Sequence, residues 1–142
     1  MNVTSKGRYA LRVMLDLAEH YNGEFIPMKD VAERQELSLK YIERIMPDLK
    51  RGGCVEGQHG KGGGYRLRRP PEDYTAWEIL RLTEGDLAPV TCMEEGAGTC
   101  RRAPDCRTLP LWQGFYALTK QYFEKVTLSD LLGLPAADNY VI

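Results

Sequence analysis

The chain has 142 residues, of which 43% are hydrophobic and 27% charged, with a formal net charge of −1. This balance is that of a folded protein and excludes wholesale disorder, and the length suits one domain or a small domain with an appendage. The apolar runs are far shorter than the roughly 18 residues that cross a bilayer, and Met1-Asn2-Val3-Thr4-Ser5-Lys6 lacks the apolar core of a secretory signal, so the expectation is a soluble, cytoplasmic chain with no membrane partner.

Residues 5–21 predict an amphipathic helix, because Ala10, Val13, Met14, Leu17, Ala18 and Tyr21 fall on one stripe, and Asn22-Gly23 stops it. A short helix follows over about 28–35, with Val31 and Ala32 inward, and Glu36-Leu37-Ser38 makes a tight turn. Ser38 is a good N-cap for a third helix carrying Ile42, Ile45, Met46 and Leu49 inward. Pro47 lacks an N–H and crowds the preceding turn, which predicts a kink or tightened final turn before Gly52-Gly53. Two strand-like segments, about 54–57 and 65–68, flank a glycine-dense tip and read as a β-hairpin. Three helices followed by a basic hairpin make a winged helix-turn-helix.

Pro70-Pro71 marks a boundary, and Thr75-Ala76-Trp77-Glu78 has the pattern of a capping box, opening a helix to about Thr83 that Gly85 closes. Residues 86–108 show no periodicity and hold three cysteines. A long helix over about 110–126 carries two adjacent stripes, Leu111/Phe115/Leu118/Tyr122 and Trp112/Tyr116/Thr119/Phe123/Val126. So wide an apolar arc predicts that a second copy covers the first stripe, making a homodimer, although burial inside the monomer is the alternative. Thr127-Leu128-Ser129-Asp130 starts a last short helix. The expected organisation is thus mainly α with a small β-hairpin wing: a DNA-binding domain over 1–70, a cysteine loop and dimerisation helices over 71–132, and a tail over 133–142.

Charge supports a nucleic-acid partner. Residues 1–70 carry 13 Lys+Arg against 9 Asp+Glu, residues 71–142 carry 6 against 11, and within 38–69 the balance is 8 to 3. The second helix of a helix-turn-helix enters the major groove of double-stranded DNA, and here it exposes Ser38, Lys40, Tyr41, Glu43 and Arg44 early and Lys50 late. Arg44 has the fork that pairs with guanine, and Glu43 can accept from cytosine. Ser38, Tyr41, Lys50, Ser5, Lys6 and Arg8 read as phosphate positioners, and the wing contributes His59, Lys61, Gly62, Gly63 and Tyr65. The Gly62-Gly63-Gly64 run is also compatible with a plain tight turn, and a nucleotide phosphate loop is disfavoured because its closing Gly-Lys-Ser/Thr is missing.

Cys92, Cys100 and Cys106, with seven and five residues between them, suit a soft-metal site, iron–sulfur or zinc, or bare redox thiols. Arg101, Arg102 and Arg107 are expected to lower their pKa values. Cys54 reads as a small buried apolar residue. An enzyme is not expected, because the chain has no Cys-x-x-Cys pair and His20 and His59 lie in other segments.

Three blocks, Ser5-Lys6-Gly7-Arg8-Tyr9-Ala10-Leu11, Leu37-Ser38-Leu39-Lys40-Tyr41-Ile42-Glu43 and Gly62-Gly63-Gly64-Tyr65, resemble the Rrf2 family of bacterial winged-helix transcription regulators over roughly residues 5–132. The resemblance implies a homodimer held by the long C-terminal helix and reading a palindromic promoter through a wing and recognition helix per subunit; a repressor is the expected sense of regulation. At the wing, His59 and Lys61 stand where the family often has Arg and Pro. The three-cysteine loop resembles the IscR-like branch, which implies an iron–sulfur cluster, [2Fe–2S] ahead of [4Fe–4S]. The chain departs from that branch in its longer first gap and in Leu109, which stands where the branch has a histidine ligand. Nitric-oxide-sensing relatives use an acidic residue where this chain has Arg8. The fourth ligand stays open among Glu94, Glu95, Asp105, a partner-subunit side chain or an exogenous thiol. The ending Asn139-Tyr140-Val141-Ile142 resembles that of CymR-like cysteine-metabolism repressors, which would imply a partner enzyme.

Overall fold

The structure, a computed structural model, describes residues 1–134. Helices α1 (Ser5–Glu19), α2 (Met28–Gln35) and α3 (Leu39–Arg51) precede a hairpin of β1 (Val55–Gln58) and β2 (Gly64–Leu67), and α4 (Ala76–Glu84), α5 (Leu109–Lys125) and α6 (Leu128–Leu132) follow. The chain is mainly helical with one antiparallel two-stranded wing, in which Val55 pairs with Leu67 and Gln58 with Gly64. Most of the expected tail, including Asn139-Tyr140-Val141-Ile142, lies outside the described residues.

The helices form where pattern and capping agree. The Thr4 hydroxyl accepts from Lys6 N–H at the start of α1, and the Ser38 hydroxyl accepts from Tyr41 N–H at the start of α3. Val13, Met14, Leu17, Ile42, Ile45, Met46 and Leu49 are buried together. Tyr21 does not extend the stripe: α1 ends at Glu19 and Tyr21 is exposed, because the chain turns out of the helix at His20 before reaching it. Pro47 does not end α3, which continues to Arg51 with the proline exposed.

One buried charge ties α1 to α2. Asp16, only 1% exposed, accepts two hydrogen bonds from the Arg34 guanidinium and one from the Gln35 amide, so its burial is compensated. A third extended segment closes the wing: Ile26 N–H donates to Tyr65 O at 2.8 Å, and Tyr65 N–H donates to Ile26 O at 2.9 Å.

The core crosses the expected boundary near residue 70. Tyr74, Ile79 and Leu128 belong to the same buried cluster as the three N-terminal helices. The Tyr74 hydroxyl donates to Cys54 O at 2.6 Å and accepts from the Arg68 and Arg69 amides, clamping the base of the wing to the segment before α4. Ala76 N–H donates to Val126 O, and Leu128 N–H donates to Tyr74 O, bringing the end of α5 back to the start of α4.

The expected capping box at α4 is half formed. Thr75 accepts from Glu78 N–H, but the Glu78 carboxylate does not return to the cap; it takes Arg69 at 2.6 Å and the Cys54 thiol at 3.6 Å. A guanidinium attracts the carboxylate more strongly than a neutral amide does. The closed box is at α6, between Thr127 and Asp130.

Candidate nucleic-acid interface and cysteine cleft

α3 divides its residues cleanly. Ile42, Ile45, Met46 and Leu49 are buried, while Ser38, Lys40, Glu43, Arg44 and Lys50 are exposed. Tyr41 is half-buried and meets Tyr9 of α1 edge-on, with ring centroids 5.3 Å apart. Arg44 lies 6.0 Å from the Tyr41 ring centre, and Arg8 and Arg12 lie 5.7 and 5.5 Å from that of Tyr9. The aromatic pair thereby holds three guanidinium groups near the junction of α1 and α3 without neutralising them. Beside them, Lys6, Tyr41, Arg44 and Ile45 line a notch of about 70 Å³.

Lys6, Ser5 and Arg8, three of the expected phosphate positioners, already have side-chain partners. Lys6 Nζ is 2.5 Å from Asp48 Oδ2 of α3, and the Ser5 hydroxyl accepts from Arg8. Lys6 therefore fixes α1 against the recognition helix, and any phosphate there competes with a carboxylate.

At the wing tip His59, Lys61 and Gly62 are exposed, while Gly63 and Tyr65 are half-buried. Lys50, His59 and Tyr65 line a second notch of about 70 Å³ between the end of α3 and the wing. Gly63 and Tyr65 are explained by the hairpin itself. A Cβ on Gly63 would stand 2.3 Å from Gln58 O, and Tyr65 makes the two backbone bonds to Ile26 with its ring against Gly57. The exposed basic side chains of the wing tip are thus His59 and Lys61.

Cys92, Cys100 and Cys106 line one cleft of about 230 Å³ whose wall includes Met93, Ala103, Leu109 and Gln113. Cys92 and Cys100 are exposed and Cys106 is half-buried. Among the described residues no three His, Cys, Asp or Glu side chains are gathered closely enough to hold an ion. The chemistry of the donors nevertheless fits an iron–sulfur group, because three thiols open into one cleft with apolar walls. Leu109 lines the same cleft and supplies no fourth donor.

The Cys106 thiol is held below its ordinary pKa chiefly by a hydrogen bond with the Thr108 hydroxyl, then by the Thr108 and Leu109 amides at the start of α5. Arg102 contributes least of the named causes, so the expected electrostatic role of the arginines is secondary. Burial, followed by the Glu78 carboxylate, pushes Cys54 up to about 12, which sets it apart from the loop thiols.

α5 has no fully buried residue. Trp112, Tyr116 and Phe123 are half-buried, with Tyr116 6.0 Å from Trp77 of α4, whereas Leu111, Phe115, Leu118 and Tyr122 are 62, 47, 69 and 64% exposed. α4 covers one stripe and leaves the other open.

Sequence patterns missed the junction between these regions. Glu84, at the end of α4, accepts from Thr4 N–H, the Thr4 hydroxyl and Gly7 N–H at the start of α1. Asp86 accepts from Ala88 N–H and Glu95 N–H, which hold its carboxyl below the usual range, Glu95 first. The one available signal was Gly7, an odd residue inside a helix unless another group comes close: an added Cβ would stand 2.4 Å from Glu84 Oε1.

Residues 3–133 match the Rrf2 family, described as "Iron-dependent Transcriptional regulator". The chain belongs to the Rrf2 family. It is 33% identical to the HTH-type transcriptional regulator IscR of Vibrio vulnificus over 142 residues, covering the whole chain and 81% of that protein. CymR, the global cysteine regulator of B. subtilis, superposes with a TM-score of 0.76 at 30% identity, over 93% of this chain and 96% of that one. IscR of T. potens superposes with a TM-score of 0.72 at 26% identity, over 100% of this chain and 93% of that one. The Rrf2 chain is therefore a DNA-binding transcriptional regulator of the winged-helix class and not an enzyme. Among its described residues no helix is long and apolar enough to cross a membrane.

Proposed function

We propose that this Rrf2 regulator works in the cytoplasm as a homodimeric repressor of palindromic promoters, and that its cysteine loop reports iron–sulfur status. The observation that carries the reading is the convergence of Cys92, Cys100 and Cys106 on one cleft against the first turn of α5, the helix whose outer stripe is uncovered. Cys92, Cys100 and Cys106 would hold the cluster, with the fourth ligand supplied from outside the Leu109 position. When bound, a cluster would supply redox-sensitive iron–thiolate ligation that ties the three cysteines of the loop together. Hydrogen bonds from Thr108 and the Leu109 amide favour the thiolate form of Cys106, the form that ligates iron.

Anaerobic reconstitution with iron and sulfide tests this directly. The expected result is a visible charge-transfer spectrum, with Mössbauer parameters that assign [2Fe–2S] or [4Fe–4S], and loss of the colour in Cys106→Ala. Colourless, iron-free protein after reconstitution overturns it.

A second reading, a regulator that uses zinc or the bare thiols without a cluster, is favoured by the Leu109 wall and by the open spacing of the cysteines. Thiol titration and zinc content separate it from the first.

On DNA the two basic positions of α3 divide the work. Arg44 is exposed near the start of the helix, so Arg44→Ala is expected to weaken binding to the specific duplex by about 1–3 kcal/mol and random duplex little. Lys50→Ala is expected to weaken both duplexes alike and to lower the salt slope by about one per subunit. Fluorescence anisotropy against salt concentration checks both, and equal losses on the two duplexes for Arg44→Ala contradict its role in reading bases.

A further inference from the structure

We propose that Glu84 is the positioning residue that couples the cysteine loop to the recognition helix. The proposal rests on the regulator reading above but concerns how this chain transmits a change at the loop.

The first four amides of a helix have no partner within it, and the helix dipole favours negative charge beside them. α1 has no acidic residue in its first turn. It imports one: Glu84 Oε1 accepts from Thr4 N–H at 2.7 Å and from Gly7 N–H at 2.9 Å, and both carboxylate oxygens lie within 3.0 Å of the Thr4 hydroxyl. Gly7 gives the carboxylate its place, because a side chain there would meet Glu84 Cγ at 2.9 Å and Leu80 Cδ2 at 3.0 Å. The start of α1 therefore follows the end of α4.

Two residues further on, the chain is tied to the loop. Asp86 accepts from Ala88 N–H at 2.8 Å and from Glu95 N–H at 2.7 Å. The Glu95 carboxylate is 3.5 Å from the Arg81 guanidinium, which also donates to Gly85 O. Glu95 follows Cys92 closely in the chain, so the segment that bears the first cysteine is pinned to the end of α4.

On the opposite side, α1 presents Lys6 to Asp48 of α3 at 2.5 Å. Lys6 also lines the notch with Tyr41 and Arg44. Loop, Asp86, α4 end, Glu84, α1 start, Lys6 and α3 are thus joined in series by polar contacts and short stretches of backbone. Glu84 is the link with the greatest separation in sequence, and among the described residues its carboxylate is the acid supplied to the start of α1.

A double-mutant cycle between Glu84→Gln and Asp86→Asn tests the coupling, with reduced, metal-free protein and a duplex selected from a random pool by the wild-type chain. Asp86→Asn loosens the loop and is expected to lower the ratio of specific to random binding by about five-fold. In the Glu84→Gln background the same change is expected to add nothing. Hydrogen exchange supplies the second measurement: Asp86→Asn speeds exchange over residues 4–8 and 39–44 only when Glu84 is present. Additive losses, or an Asp86→Asn variant with wild-type binding and exchange, overturn the proposal. Should a variant not fold, alkylating the loop cysteines of the wild type with N-ethylmaleimide replaces it; faster exchange over residues 4–8 supports the coupling and unchanged exchange overturns it. The cycle needs no cluster, so failure of reconstitution and failure of the coupling are separate results.

Discussion

If the proposed homodimer forms through α5, Leu118→Glu is expected to leave the regulator monomeric and to reduce its affinity for a two-half-site duplex by about 100-fold or more, while its circular dichroism and unfolding midpoint stay close to wild type. The side chain lies in the middle of the open α5 stripe and is 69% exposed, so little packing within the subunit is lost. A two-fold interface places the same patch of each subunit against the other, so each substituted carboxylate would be desolvated beside apolar groups and near its own copy. Two recognition helices joined by such an interface bind two half-sites with an avidity that single subunits lack, typically by factors of about 100–10,000. Light scattering gives the mass, and anisotropy on one and two half-sites gives the affinity ratio. A Leu118→Glu protein that stays dimeric and binds normally places the interface elsewhere.

Gly64→Ala is expected to cost about 3 kcal/mol of stability and to lower the melting temperature by about 10 °C, with displacement of the wing. Gly64 has φ +152, and a Cβ there would stand 2.1 Å from Ile26 O, 2.3 Å from Ile26 C and 2.7 Å from Pro27 N. All three atoms are backbone, so no side chain can rotate away. Relief requires separating the strand from Ile26, which breaks the two hydrogen bonds between Ile26 and Tyr65. Gly62→Ala is the control: its φ is +78 but nothing lies within 4 Å, so only conformational strain of about 1–2 kcal/mol is added. Calorimetry of the two variants separates them, and equal losses would remove the argument from close backbone approach. On random DNA, Gly64→Ala is also expected to weaken binding, because the placement of His59 and Lys61 depends on the hairpin.

Much of the architecture was readable locally. Ser38 before Ile42, Ile45 and Leu49 predicts a capped helix with one buried face, and both the cap and the face are observed. Glycines between two short strand patterns predict the hairpin, and the structure shifts its strands by a single residue. Tyr21 shows where the same logic overreaches: the 3.6-residue pattern extends beyond the place where the backbone leaves the helix. Thr75 and Glu78 show a second limit, since the spacing of a capping box does not reveal that Arg69 competes for the carboxylate.

The candidate site divides along the same line. Exposure of Arg44, Glu43 and Lys50 follows from helical period, and the grouping of three cysteines follows from their nearness in the chain. The source of the lowered Cys106 pKa, the engagement of Lys6 by Asp48, and the seating of Glu84 on α1 do not.

Helices, caps, the wing and the amphipathic faces arise from interactions among residues a few positions apart, and the order of residue types records these directly. Which acid meets which amide or cation across about 80 residues is chosen by packing, because the chain has 20 acidic residues with the same Coulombic appetite. The assembled core alone brings Glu84 within hydrogen-bonding distance of α1, and an exposed stripe on α5 is distinguished from a half-buried one only after α4 has taken its side.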